Sequence, residues 1–198
     1  MFNGIIHNQG IIFKLEKKKN SLNIFLKTNL KFKKNDIGES VCCNGVCLTL
    51  TNVKKNYISF YLSKETLDKS NFKFCKLNEV VNLEKSLTYG KKISGHYVQG
   101  HADTTAKVLK ILIEDKTWVV NFLVAKSYSK YLIDKGSIAI NGVSLTISKV
   151  EKNKFSVNII PHSLRLTNLI KLKKNSYVNV EFDIFSKYLI SLKKWLKI

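Results

Sequence analysis

The stretch NGVCLTL at residues 44–50 returns as NGVSLTI at residues 141–147, 97 residues further along the chain. When SVCCNGVCLTL (residues 40–50) is laid on SIAINGVSLTI (residues 137–147), Ser, Asn, Gly, Val, Leu and Thr coincide. The same offset carries ETLDKSNF (residues 65–72) onto HSLRLTNL (residues 162–169), matching Leu67 with Leu164 and Asn71 with Asn168. FNGII around Gly4 is similar to VQGHA around Gly100, at a spacing of 96. A period this long that occurs twice marks a duplicated domain, because a solenoid needs shorter and more numerous units. A chain of 198 residues has room for two small domains, each able to bury a core.

Each half reads as β structure. SIAINGVSLTISKV alternates, is rich in β-branched residues and is punctuated by Asn-Gly, the composition of a tight hairpin turn. FSVNII, YISFYL, TWVVNFLV and YVNVEF are further short strands at the spacing of a small all-β barrel. Pro161, the only proline, falls where FSVNII ends, a place where a missing N–H does least harm. Helical pattern is confined to ETLDKSNF and its partner, to SYSKYLID (residues 127–134), and to the closing IFSKYLISLKKWLKI. In that tail Phe185, Tyr188, Leu189, Leu192 and Leu196 follow 3.6-residue spacing with lysines between them. An apolar stripe without a second half of its own is expected to pack on a neighbouring subunit.

Composition narrows the class. Hydrophobic residues make up 44% and no apolar run approaches the ~18 residues of a membrane span. The start, MFNGIIHNQG, lacks the basic-then-apolar layout of a signal peptide, so a cytoplasmic protein is expected. Cys42, Cys43, Cys47 and Cys75 form no C-x-x-C pair and lack clustered histidines, which argues against a zinc site or a disulfide framework. A formal charge of +20 invites a nucleic-acid reading. Against it, Arg165 is the only arginine among 34 basic residues, and specific readers of bases and phosphates favour the bidentate guanidinium. Neither nucleic acid nor membrane is expected as a partner.

Taken in order, MFNGII, NGVCLTL, SGHYVQGHAD, KGSIAINGVSLTI and IIPHSLRLTNL resemble riboflavin synthase of the alpha-chain type, over essentially the full chain. The resemblance implies an all-β fold of two tandem homologous closed antiparallel barrels with short helices: residues 1–96, residues 97–183, and a C-terminal α-helix at 184–198 that helps assemble a homotrimer. It also implies the substrate, 6,7-dimethyl-8-ribityllumazine, one molecule per kind of barrel. One molecule gives a four-carbon unit to the other, yielding riboflavin and 5-amino-6-(ribitylamino)uracil with no metal or organic cofactor. Two copies of one compound need two sites of like recognition, and duplication supplies them; donor and acceptor also require unlike reactive groups. Cys47 against Ser144, His101 against Ile5 and Glu65 against His162 are such differences.

Carried over position by position, the implied binding residues of the N-terminal barrel are Gly4, Ile5 and Ile6, then Cys47, Leu48 and Thr49, then Tyr61, Leu62, Ser63, Lys64, Glu65 and Thr66. Those of the C-terminal barrel are Gly100, His101 and Ala102, then Lys135, then Ser144, Leu145 and Thr146, then Ile159, Ile160, Pro161, His162, Ser163 and Leu164. Open backbone groups suit a pterin-like edge, and Thr49, Thr146, Glu65 and Ser163 suit the hydroxyls of a ribityl chain. The chemistry needs a base for the 7-methyl proton and a nucleophile for the donor ring. His101 is the expected proton shuttle, ahead of His96, His7 and His162. Cys47 is the expected nucleophile, with Ser40, Ser144 and Thr146 to orient it or to activate water. The family pattern differs at Asn3, where Thr is common, and at Tyr61, where an acidic residue is common.

Overall fold

Period-2 alternation becomes two closed barrels in the computed structural model of the protein, which describes residues 1–196. The first contains β1 (Asn8–Lys18), β2 (Ser21–Thr28), β3 (Ser40–Cys43), β4 (Val46–Lys54), β5 (Tyr57–Ser63) and β6 (Val80–Lys85), joined around the wall in the order β1-β2-β5-β4-β3-β6. The second contains β7 (Thr104–Glu114), β8 (Thr117–Leu123), β9 (Ser137–Ile140), β10 (Val143–Glu151), β11 (Lys154–Ile159) and β12 (Tyr177–Phe182), closed in the corresponding order. All pairings are antiparallel, and β1–β6 and β7–β12 shut the two walls. Along β2, Leu22, Ile24 and Leu26 point inward while their neighbours do not, the pattern expected of a strand with one wet face.

Closing a six-stranded wall demands strongly bent strands, and bulges supply the bend. They occur between Ile12 and Lys14 and between Leu50 and Asn52 in the first barrel, and between Val108 and Lys110 and between Ile147 and Lys149 in the second. The two Asn-Gly signals are two-residue hairpin turns with positive φ at both positions, 47° and 78° at Asn44 and Gly45, and 46° and 78° at Asn141 and Gly142. The turns face each other so closely that a Cβ on Gly45 would lie 2.7 Å from the backbone nitrogen of Gly142.

A pseudo-twofold axis runs between these turns and is stitched by asparagines. Asn82 donates from Nδ2 to the Asn141 carbonyl at 3.0 Å, and Asn179 donates to the Asn44 carbonyl at 2.8 Å. Asn44 and Asn141 accept the backbone N–H of Asn82 and Asn179 at 2.8 and 2.9 Å. These residues are buried, and polar groups removed from water require such partners.

The expected helices mostly form: α1 (Lys64–Lys69), α2 (Pro161–Leu166) and α3 (Ile184–Trp195). Ser63 caps α1 by accepting from the Thr66 N–H, and Pro161 sits in the first turn of α2. Residues 127–134 differ from an α-helix, since Lys126–Tyr131 is 3-10. A three-residue repeat puts Tyr128 and Tyr131 on one face, where both rings pack on Phe182 at 5.8 and 5.4 Å. Asp183 caps α3 through the Phe185 N–H, and Phe185, Tyr188, Leu189, Leu192 and Trp195 leave an apolar face exposed. Residues 197 and 198 of the expected tail lie outside the described residues. Among the described residues no helix is long and apolar enough to cross a membrane.

Candidate functional site

Two segments without regular structure decide where the sites are. Phe2 and Val98 form an isolated antiparallel bridge at the axis, with Phe2 N–H donating to the Val98 carbonyl at 2.7 Å and Val98 N–H returning to Phe2 at 3.2 Å. From there the chains run apart, each onto the other barrel. The Gly4 carbonyl accepts the Ser144 N–H at 2.8 Å, and the Gly100 carbonyl accepts the Cys47 N–H at 2.6 Å. Ile6 is buried in the core of the second barrel, and Ala102 packs on the core of the first. This corrects the sequence-based grouping: Gly4, Ile5 and Ile6 belong with Ser144, whereas Gly100, His101 and Ala102 belong with Cys47. An approach this close requires a residue without a side chain. A Cβ on Gly4 would lie 2.6 Å from Ser144 Cβ, and one on Gly100 would lie 2.8 Å from Cys47 Cβ.

Two carboxylates, Glu181 buried and Glu84 half-buried, hold the crossing segments by their backbone. Glu84 accepts the N–H groups of Asn3 (2.8 Å) and Gly4 (3.0 Å), while Glu181 accepts those of Gln99 (2.6 Å), Gly100 (2.8 Å) and His101 (2.9 Å). Burial raises the pKa of both above the usual carboxylate range, to about 7 for Glu84, although the donated N–H bonds pull the other way. Neither glutamate was singled out in the sequence. Both lie 97 residues apart on β6 and β12, so the repeat offset was a usable signal.

A cavity of about 530 Å³ opens on the second barrel, lined by Ile5, Ser94, Gly95, Lys135, Ser137, Ser144, Leu145, Thr146, Ser148, Asn158, Ile160 and Ser163. On the first barrel the related cavity, about 350 Å³, is lined by Val46, Cys47, Glu65, Thr66, Lys69, Ser70, Gly100, His101 and Ala102. Both volumes suit a small bicyclic ligand, and the two linings share no residue.

Several expected binding residues have side chains turned into the barrel cores: Ile6, Leu48, Leu62, Ile159 and Leu164. Alternation forces this for Leu48, Leu62 and Ile159 on their strands, and Ile6 and Leu164 are buried in the core of the second barrel, so only main-chain groups are available to a ligand. Ser40 and Thr49 pair across β3 and β4, and Ser63 is spent on the α1 cap. Tyr61, Lys64, Pro161 and His162 are exposed and line neither cavity. Ser137 and Asn158, which do line one, were missed although the 97-residue offset relates them to Ser40 and Tyr61. Cys42, Cys43 and Cys75 are buried, free and electrically quiet, because burial pushes each thiol's pKa up.

Chemistry differs between the cavities. Beside Gly95, His96 Nδ1 lies 2.7 Å from Ser144 Oγ, while its Nε2 is buried without a hydrogen-bond partner. Burial lowers the His96 pKa below 6.5 and Asp183 opposes the shift, so a neutral imidazole is favoured at neutral pH. A neutral histidine on a serine hydroxyl can take or return a proton. His96 therefore meets a reactive partner in this chain, although His101 ranked above it by sequence. His101 is exposed and lines the other cavity together with Cys47, so that cavity carries a thiol and an imidazole. Among the described residues there is no group of three His, Cys, Asp or Glu placed to hold a metal ion.

Twin barrels that exchange their edge segments and present one cavity each define a class, the lumazine-binding domain. That family's profile matches residues 3–86 and 99–183. The chain belongs to the riboflavin synthase family within it. It is 35% identical over 98% of its length to the riboflavin synthase of Photobacterium leiognathi, covering 89% of that protein. Identity is 36% over 92% of the chain to that of Escherichia coli (strain K12), with 87% of that protein covered. The fold is also similar to a crystal structure of LumP complexed with riboflavin, with a TM-score of 0.82, 26% identity, and coverage of 92% of this chain and 99% of that one.

Proposed function

We propose that the chain converts two molecules of 6,7-dimethyl-8-ribityllumazine into riboflavin and 5-amino-6-(ribitylamino)uracil by transfer of a four-carbon unit. Two substrates and two products contain the same atoms, so neither oxidant nor reductant is required. The observation that carries the reading is the pair of repeat-related cavities with unlike reactive groups, Ser144, bonded from behind by His96, in one and Cys47 with His101 in the other. Like cavities recognise like molecules. Unlike groups assign them opposite roles.

In this reading the 7-methyl proton of one lumazine passes to a histidine, and the ring delocalises the resulting carbanion. The carbanion attacks the second lumazine, which Cys47 or a water activated beside Ser144 has primed by addition. Holding two flat rings face to face supplies part of the acceleration by proximity, on the order of several kcal/mol. Thr146, Ser163 and Asn158 in one cavity, and Thr66 and Glu65 in the other, offer partners for ribityl hydroxyls. Tyr61 leaves the first barrel without the polar group that Asn158 brings to the second.

Because the cavities share no residue, the reacting pair forms where the first barrel of one subunit meets the second barrel of another. The exposed apolar face of α3 supports assembly into a homotrimer. The test is to incubate the purified protein with 6,7-dimethyl-8-ribityllumazine alone: both products in equal amounts are expected, and tight binding without turnover refutes the synthase in favour of a carrier. Mixing inactive Cys47→Ala and Ser144→Ala chains should restore activity beyond either alone. Absence of recovery rejects the shared site.

A further inference from the structure

The loop between the barrels brings His96 to Ser144, yet residues 91–95 are exposed and have no regular secondary structure. One side chain ties them down. Asn3 Oδ1 accepts the N–H of Ser94 at 2.7 Å and of Gly95 at 2.9 Å, and its Nδ2 donates to the Lys92 carbonyl at 3.4 Å. Asn3 is itself fixed through its backbone to Glu84. Its neighbour Gly4 holds the Ser144 backbone. Gly95 is pressed flat against this frame: a Cβ there would collide with the Asn3 carbonyl and lie 2.9 Å from Ser144 Oγ. One short segment thus locates both partners of the pair, Ser144 through Gly4 and His96 through Asn3.

Building on the proposed reaction, we infer that Asn3 is a positioning residue, which sets the His96–Ser144 contact by clamping the loop at Ser94 and Gly95. Its repeat counterpart Gln99 offers Glu181 a backbone N–H, and the Cys47 cavity takes no residue from 92–96. The clamp therefore acts on one cavity alone and helps to make the two unlike. An amide suits the task because its oxygen receives two adjacent N–H groups while its nitrogen, a separate atom, reaches the Lys92 carbonyl; the hydroxyl of the threonine common in the family would have to make all three bonds from one atom on a shorter side chain.

The test compares Asn3→Ala, Asn3→Asp and wild type. Asn3→Ala should lower kcat about 10- to 100-fold, the range for a displaced catalytic group, with KM changed less than about 3-fold. Asn3→Asp keeps the oxygen that accepts both N–H groups, gives up only the long Nδ2 bond to the Lys92 carbonyl, and should stay within about 5-fold of wild type; a loss equal to that of Asn3→Ala overturns the inference. In a His96→Gln background Asn3→Ala should cost less than about 2-fold further, since residues acting through one contact are not additive; losses that multiply overturn it. Amide hydrogen exchange gives a reading independent of turnover: Ser94 and Gly95 should exchange faster in Asn3→Ala, and unchanged protection overturns the clamp. If wild type makes no riboflavin, the proposed reaction fails, while the exchange result still decides the clamp.

Discussion

The asparagine network at the axis contains its own control, because the repeat places Asn71 and Asn168 in equivalent positions with unequal roles. Asn168 Nδ2 donates to Asn44 Oδ1 and to the Val80 carbonyl, both at 2.9 Å, and its Oδ1 accepts from Asn82 Nδ2 at 2.9 Å and Asn141 Nδ2 at 3.3 Å. Asn71 donates its Nδ2 to the Tyr177 carbonyl at 3.1 Å in an exposed setting, while its backbone N–H reaches Asn179 Oδ1. Asn168→Ala forfeits three good bonds worth about 1 kcal/mol each and strands Asn141 Nδ2 in a buried site, a loss of about 3–5 kcal/mol. Asn71→Ala keeps its backbone bond and loses under about 1 kcal/mol. With a urea slope of about 2 kcal/mol/M, the Asn168→Ala midpoint should fall by about 1.5–2.5 M and that of Asn71→Ala by less than about 0.5 M. Equal shifts in the two variants refute the assignment of this network as the principal stitch between barrels.

Gly4→Ala combines positive φ (73°) with a Cβ 2.6 Å from Ser144, so it should cost about 2–5 kcal/mol and displace the Ser144 strand; an unchanged melting temperature with full turnover contradicts the close approach. Glu84 has an ordinary pKa near 4.5 when unfolded and about 7 when folded. The native state therefore binds more protons between those values, and stability falls as pH rises across that window. Glu84→Gln removes this titration, so its melting temperature plotted against pH should be flatter than wild type there, and parallel curves reject the shift. Leu189→Lys with Leu192→Lys places charge on the exposed face of α3 and should convert the proposed trimer to single chains by light scattering, with turnover lost; an unaltered mass rejects α3 as the proposed interface.

Much of the fold was legible because its determinants are local. Asn-Gly requires two consecutive positive φ values, which fixed the hairpins β3–β4 and β9–β10. Burial every second residue, as in Leu22, Ile24 and Leu26, defined the inner wall. The 3-10 turn at Lys126–Tyr131 was not legible as such, since its three-residue repeat serves a packing contact with Phe182 that lies about 50 residues away. The candidate site was legible as a set of residues but not as groups. His96 became a partner of Ser144 only because the interdomain loop is held there, and Glu84 and Glu181 look in sequence like ordinary strand charges.

From the sequence alone came the duplication, the all-β halves and the residues in which the copies differ, because repeats, alternation and turn chemistry are properties of neighbours along the chain. Tertiary structure decided which half serves which cavity. Residues 2–6 cross to the second barrel and 98–102 to the first: each segment is held at its start by a glutamate of its own barrel, Glu84 on β6 or Glu181 on β12, and finds a free backbone N–H and a core contact on the other. No periodicity encodes a contact between Gly4 and Ser144, 140 residues apart; it follows from the two-fold packing of the barrels, which brings the Ser144 N–H to the Gly4 carbonyl and the Cys47 N–H to the Gly100 carbonyl.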